Sequence, residues 1–270
     1  MATMQEVMEQ LQDNSMRHIV NLSGGKDSTA MAIYMRQRYP QIPVEYVFCD
    51  TGCELPETYE YLERLQALLG AEIRYLNALD GLGIARKLNR NPFDIWLYEV
   101  YGGFLPNPRA RWCTRVLKIE PFEAYVGDDK AFSYIGIRAD EDRDGYVAKR
   151  PPVISQRPNI LPVYPLMDDG IELADIKEII EATGLGLPEY YKWRSRSGCY
   201  FCFYQQIGEW QGLREYHPDL FEKAKQYEKF QNGKRYTWQD GRTLDEIAKL
   251  SRRYSVQTVD QSEGCAICHL

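Results

Sequence analysis

Residues Arg17–Gln37 read RHIVNLSGGKDSTAMAIYMRQ. Ile19, Val20 and Leu22 form a short apolar run of strand type, and Ala30, Met31, Ile33 and Tyr34 follow at helical spacing. Between them, Gly24 and Gly25 carry no side chain to hold a ligand off the backbone, and they tolerate left-handed dihedrals. The amides after Ser23 open a helix N-terminus, where the helix dipole favours an anion. Lys26 adds a mobile positive charge, and Ser28 and Thr29 add hydroxyl donors. The stretch reads as a phosphate cradle. It is not a Walker loop, because only one residue separates Ser23 from the Gly25–Lys26 pair and Asp27 follows the lysine.

Working outward, Val44–Leu65 reads VEYVFCDTGCELPETYEYLERL. Val44, Tyr46, Val47 and Phe48 suit a second buried strand, and Pro56 followed by Glu57 suits a helix start. Asp50, Thr51 and Gly52 then fall at a strand's carboxyl end, where open α/β sheets bind ligands. The pattern predicts strands near 18–22, 44–49, 72–76 and 132–137, and helices near 27–38, 56–69, 117–126 and 172–183. That alternation implies an α/β fold with a doubly wound parallel sheet over residues 1–184, followed by a smaller cysteine-containing region, 185–270. ISQRPNILPVYPL reads as a proline-rich extended connection, and one further helix is expected over Leu244–Leu250. The aromatic-rich residues 89–109 suit a lid or partner surface, with Trp96 and Tyr98 expected in the core; His217 is expected at the surface.

The chain has 270 residues and a net charge of −6, with no repeat or low-complexity tract. No apolar run reaches the ~20 residues of a membrane span, and the N-terminus does not resemble a secretory signal, so a cytoplasmic protein with no membrane partner is expected. Cations nevertheless cluster at Arg109, Arg111, Arg115 and Lys118, at Arg138, Arg143, Lys149 and Arg150, and at Lys192, Arg194 and Arg196. In an acidic chain these suit an anion pocket better than a coat for duplex DNA. The seven cysteines point to metal binding or catalysis, since a reducing compartment disfavours disulfides. Cys49 reads as a small buried hydrophobe. Cys199 and Cys202 form one Cys-x-x-Cys pair and Cys265 and Cys268 another, a set that could hold a structural Zn²⁺ with four thiolates. CAICH also matches covalent haem attachment, which would require export.

The Ser-Gly-Gly-Lys-Asp-Ser string resembles the PP-loop of ATP pyrophosphatases. The resemblance implies that Ser23, Gly24, Gly25, Lys26, Asp27 and Ser28 hold the β,γ-pyrophosphate of ATP with Mg²⁺. Asp-Thr-Gly-x-x-x-Pro-Glu-Thr-Tyr resembles a signature of the phosphoadenylyl-sulfate reductase family, implying that Asp50 and Thr51 help seat the adenosine. GIRADEDRDGY resembles the family's Gly-x-Arg stretch, implying that Arg138 and Arg143 contact phosphate, sulfate or an anionic acceptor; a guanidinium fork suits such oxyanions. Cys113, Lys118, Pro121, Gly198, Cys199 and Cys202 resemble the ligand pattern of the branch that carries a [4Fe–4S] cluster, but Thr114 stands where that pattern has a second cysteine. Three thiolates remain, so either an iron stays open or a tail cysteine, Cys265 or Cys268, returns as the fourth ligand, with Cys268 the candidate. EGCAICH is also similar to the family's nucleophilic C-terminal tail, which makes Cys265 and Cys268 candidate nucleophiles. The resemblance covers about residues 18 to 204.

Two chemistries suit this pattern. Sulfonucleotide reductases bind no β,γ-pyrophosphate, and in them the loop usually looks degenerate; here Lys26 and Asp27 are retained. The Cys-Thr-x-x-Leu-Lys-Ile-x-Pro variant with the Cys-x-x-Cys pair resembles the ATP-pyrophosphatase component of bacterial DNA phosphorothioation systems. That implies adenylation of an acceptor phosphate, a nucleic-acid substrate, a cysteine desulfurase as sulfur donor, and DNA-modification partner proteins. The alternatives are a phosphoadenylyl-sulfate or adenylyl-sulfate reductase using a C-terminal cysteine, and a zinc-stabilised nucleotide-binding partner protein.

Overall fold

The computed structural model describes residues 2–11, 15–80, 90–141, 155–231 and 234–251. Arg143, Cys265 and Cys268 lie outside them.

A short helix, α1 (Met4–Glu9), precedes the central strand β1 (Met16–Leu22), which leads into α2 (Lys26–Arg38). Then come β2 (Val44–Asp50), α3 (Pro56–Leu69) and β3 (Ile73–Asn77). Two short helices, α4 (Pro92–Ile95) and α5 (Trp112–Thr114), each run on into a π-helical turn, Trp96–Val100 and Arg115–Ile119 respectively. Next are α6 (Glu120–Val126), β4 (Lys130–Tyr134), β5 (Ile160–Val163), α7 (Pro165–Asp168) and α8 (Leu173–Glu181). The C-terminal part holds α9 (Ile207–Tyr216), α10 (Pro218–Gln226), a hairpin of β6 (Lys229–Gln231) and β7 (Lys234–Tyr236), and α11 (Leu244–Ala248).

The five main strands form one parallel sheet in the order β3-β2-β1-β4-β5. Alternate residues of the central strands serve opposite faces, as the two-residue strand period dictates. Val20, Leu22, Tyr46 and Phe48 pack with Met31, Leu62 and Ile176 from α2, α3 and α8, whereas Ile19 and Val47 pack with Phe122 and Val126 from α6. Helices thus cover both faces. The expected strands and helices of this half are present within a few residues of their predicted bounds. The proline-rich connection, however, contains β5, and Pro162 is accommodated because β5 is the edge of the sheet.

A second, aromatic core joins Phe93, Tyr200, Phe201, Trp210, Tyr227 and Trp238, with Phe93 and Phe201 centroids 4.3 Å apart. It also takes in Cys53, Leu55, Trp112 and Leu117, so it is built from both sides of the boundary expected near residue 184. Trp96 packs against this core, but Tyr98 is exposed with the Lys229 ammonium 5.0 Å from its ring centroid, correcting the core expectation for Tyr98. His217 is half-buried instead of lying at the surface, its Nε2 2.7 Å from Glu57 Oε1.

Candidate functional site

The chain runs outward from β1 through β2 to β3, then returns to place β4 on the other side of β1. The strand order therefore reverses between β1 and β4, and ligands of open α/β sheets bind in the crevice at the carboxyl ends of such strands. Ser23–Lys26 leave β1 at that point and Gly136–Arg138 follow β4 there. Gly24 has a φ of 70°, and a Cβ on it would lie 2.5 Å from Thr58 Cγ2. Gly136 answers a different demand: a Cβ on it would lie 3.0 Å from the carbonyl oxygen of Asp27, so glycine lets the loop after β4 touch the first turn of α2.

Hydroxyls shape the loop. Ser23 N–H donates to Ser28 Oγ at 3.1 Å, Gly25 N–H donates to Ser23 Oγ at 3.3 Å, and the two serine hydroxyls lie 3.0 Å apart. Gly25 is the N-cap of α2 and supplies no side-chain cap, so the first amides of the helix take oxygens from elsewhere. Lys26 Nζ is 3.3 Å from Asp27 Oδ2. Burial pulls the Lys26 ammonium down most strongly, but the charge and hydrogen bond of Asp27 together with Tyr191 hold the group above its ordinary value.

Asp27 and Arg138 are 3% and 2% exposed, and Arg138 Nη1 donates to Asp27 Oδ1 at 2.8 Å. Arg138 also binds Asp140 Oδ1 at 2.8 Å and stands 3.7 Å from Glu141 Oε1. The neighbouring carboxylates, Asp27 foremost, overcome the burial that would otherwise depress Arg138, and keep it protonated. Arg138 is thus a strut beneath the loop, tied to three carboxylates. Asp50 accepts from Gly52 N–H at 2.8 Å and from Tyr59 Oη at 2.7 Å, which fixes the turn after β2. Thr51, expected beside adenosine, turns its hydroxyl to Glu54 Oε1 at 2.8 Å and stands 3.3 Å from Cys199 Sγ.

Cys113, Cys199 and Cys202 line one pocket together with Thr51, Thr114 and Lys118. The sequence separates Cys113 from the Cys199–Cys202 pair by more than eighty residues, and the fold brings all three to a common wall. Thiol donors in a largely apolar pocket fit an iron–sulfur group, and among the described residues the three cysteines are its available ligands. No group of three His, Cys, Asp or Glu side chains closes onto a single ion among the described residues. Burial, and next the Glu54 carboxylate, push the Cys199 thiol well above its ordinary value, so it is a poor free nucleophile; ligation to a metal would deprotonate it. Cys49, 1% exposed as expected of a small hydrophobe, is pushed up to about 12 by burial.

The Cys-x-x-Cys turn is held from behind. Arg194, fully buried, donates to the carbonyls of Gly198 and Cys199 at 3.0 and 2.9 Å. Glu209 on α9 accepts from both Ser195 N–H and Ser195 Oγ at 2.7 Å, and from Gln206 N–H at 2.8 Å. Gly198 has a φ of 134°, which a side chain would strain. In front, Ser197 Oγ donates to Ser23 Oγ at 3.2 Å, so phosphate loop and cysteine turn share a wall. Sequence reasoning missed Glu54, Tyr190, Tyr191, Ser197 and Glu209, and named Arg194 only as one of a cluster of cations. The partners of Tyr190, Tyr191 and Ser197 lie far along the chain, and the one local signal was the density of hydroxyls and cations just before Gly198.

A glycine-built loop at the switch point of a five-stranded parallel sheet with helices on both faces defines a doubly wound α/β protein. The chain belongs to the phosphoadenosine phosphosulfate reductase domain family, which it matches over residues 17–215. It is 27% identical over 211 residues to the uncharacterized protein MJ0066 of Methanocaldococcus jannaschii, covering 76% of this chain and 40% of that one. It is 29% identical over 151 residues to the nin region protein ORF290 of phage lambda, covering 47% and 50% respectively. The chain therefore spans half or less of the length of these relatives. Among solved structures it resembles the phosphoadenylyl-sulfate reductase of Candida auris in its phosphate complex, at 15% identity and a TM-score of 0.49, covering 73% of this chain and 88% of that one. It also resembles the U34-tRNA thiolase NcsA of Methanococcus maripaludis with its [4Fe-4S] cluster, at 17% identity and a TM-score of 0.40, covering 83% and 76%. No helix among the described residues is long and apolar enough to cross a membrane.

Proposed function

We propose that the protein is an ATP pyrophosphatase that adenylates an acceptor phosphate for sulfur incorporation, with the DNA backbone as acceptor and a phosphorothioate as product. One observation carries the reading. The intact Ser-Gly-Gly-Lys-Asp-Ser loop and the three-cysteine pocket are joined through the 3.2 Å Ser23–Ser197 contact, which sets a triphosphate cradle beside a sulfur-handling site.

In this reading the loop amides and Lys26 bind the two outer phosphoryl groups of ATP, with Mg²⁺ sharing their charge. Asp27 and Arg138 hold the first turn of α2 in place, so that the donors need no rearrangement as charge develops on departing pyrophosphate. An oxygen of the acceptor phosphate attacks the α-phosphorus and pyrophosphate leaves; sulfide then attacks the acceptor phosphorus and AMP leaves. Cys113, Cys199 and Cys202 would hold a [4Fe–4S] cluster, with Cys268 the proposed fourth ligand, and the cluster when bound supplies a place to carry sulfur delivered by a cysteine desulfurase. Lys118, buried in the same pocket wall, adds positive charge near the acceptor.

The test measures pyrophosphate released from ATP by anaerobically purified protein, with and without single-stranded or duplex DNA, in wild type and Lys26→Ala. Release that depends on Lys26 supports the reading. Sulfite released from phosphoadenylyl sulfate and a thiol donor, without ATP turnover, would replace it with the sulfonucleotide reductase reading that the family also accommodates. Zinc in place of iron and sulfide on elemental analysis would remove the cluster.

A further inference from the structure

The 3-10 turn Glu189–Lys192 and the loop after it lead into the Cys-x-x-Cys turn, and three of their side chains rest on the phosphate loop. The Tyr191 hydroxyl accepts from the backbone N–H of Lys26 at 3.1 Å. The Tyr190 hydroxyl donates to the carbonyl of Gly24 at 2.7 Å, and the Ser197 hydroxyl donates to Ser23 Oγ at 3.2 Å. The Lys26 ammonium lies 5.7 Å from the Tyr191 ring centroid. Gly25 makes room for this approach, since a Cβ on it would stand 2.7 Å from Ser197 Oγ.

The contact at the Lys26 amide is the informative one. The first amides of a helix have no partner within it, and an oxyanion at the helix N-terminus takes those same groups. Tyr191 already holds one of them, so a phosphoryl oxygen seated in the loop competes with the tyrosine hydroxyl for that N–H. The other end of the segment is stiff. Arg194 grips the Gly198 and Cys199 carbonyls, and Glu209 grips Ser195, so a shift at Tyr191 and Ser197 passes on to Cys199.

We propose that Tyr191 and Ser197 form a clasp which bound phosphates must open, so that filling the loop is felt at Cys199, two residues beyond Ser197. This rests on the reading of Ser23–Ser28 as a pyrophosphate cradle. Clasp and ligand exclude one another at the Lys26 amide, and by reciprocity whatever weakens the clasp strengthens phosphate binding.

The test is calorimetric titration of the full chain with magnesium pyrophosphate, combined with hydrogen exchange over residues 189–202, for wild type, Tyr191→Phe and Ser197→Ala. Pyrophosphate should speed exchange over that segment in wild type. Tyr191→Phe, which keeps the ring and its packing, should bind pyrophosphate about 2- to 10-fold more tightly, the range of one net hydrogen bond, and should exchange faster before any ligand is added. Ser197→Ala should shift both readings the same way. If wild type binds pyrophosphate with no change in exchange, or Tyr191→Phe binds no more tightly, the clasp is overturned and the cradle stands. If wild type binds no pyrophosphate, the cradle falls and the clasp with it.

Discussion

At the scale of single residues, the Asp27–Arg138 pair decides whether the phosphate loop keeps its shape. Both side chains are almost fully buried, and Asp27 is the leading electrostatic compensation of Arg138. Removing one member of such a pair leaves an uncompensated charge in the interior, at a cost of about 3–5 kcal/mol. Arg138→Met should lower the urea midpoint accordingly, and it should weaken pyrophosphate binding even under conditions where the variant is folded. An exposed pair such as Arg115–Glu120, broken by Arg115→Met, should change the midpoint by less than about 1 kcal/mol. The same denaturation series reads both. The sequence exposed Arg138 as an important cation but not its partners, because a Gly-x-Arg string says nothing about which carboxylates will fold against it. Glu54, Tyr191 and Ser197 were silent for the same reason: their meaning lies in neighbours more than a hundred residues away.

Among the elements, β1, β2, α2 and α3 were legible because strand and helix periods, Pro56 and the glycine turns all point one way. The edge strand β5 was hidden by Pro162, and α9 by Gly208 and Gly212, which lower helix propensity. Packing explains Gly212. A Cβ there would sit 2.7 Å from Trp193 Cε3 and 2.9 Å from Trp193 Cβ, so glycine lets α9 lie against the turn that precedes the cysteines. Gly212→Ala gains helix propensity of roughly 1 kcal/mol but overpacks a site with little room to relax, at about 1–3 kcal/mol. Crowding should win, and the melting temperature should fall. Because Glu209 of α9 anchors Ser195, iron content of anaerobically purified protein should fall as well, which elemental analysis would detect.

For the molecule as a whole, His18 ties stability to pH. It lies buried in β1 with Nδ1 2.8 Å from the Tyr134 hydroxyl, and burial holds it below its ordinary value of 6.5. In the unfolded chain the imidazole takes up a proton near that value, whereas in the folded protein it resists. Its contribution is therefore complete above pH 6.5 and is lost as pH falls through that point, by at most about 1.4 kcal/mol per pH unit. The urea midpoint should drop between about pH 7.5 and about pH 5.5, and His18→Gln should flatten that drop.

The pairing of β1 with β4 has a further consequence for how the protein is made. Met16 aligns with Lys130, so the central strand waits for a partner that leaves the ribosome more than a hundred residues later. Until then β1 has one flank bare, a template for pairing with the wrong chain. The nascent loop also lacks the support of Gly136 and Arg138 during that interval, so on the proposed function ATP should not rescue the half-made sheet. A nascent chain halted before Lys130 should aggregate whether or not ATP is present, and one extended through α11, which completes the sheet and closes the aromatic core, should not.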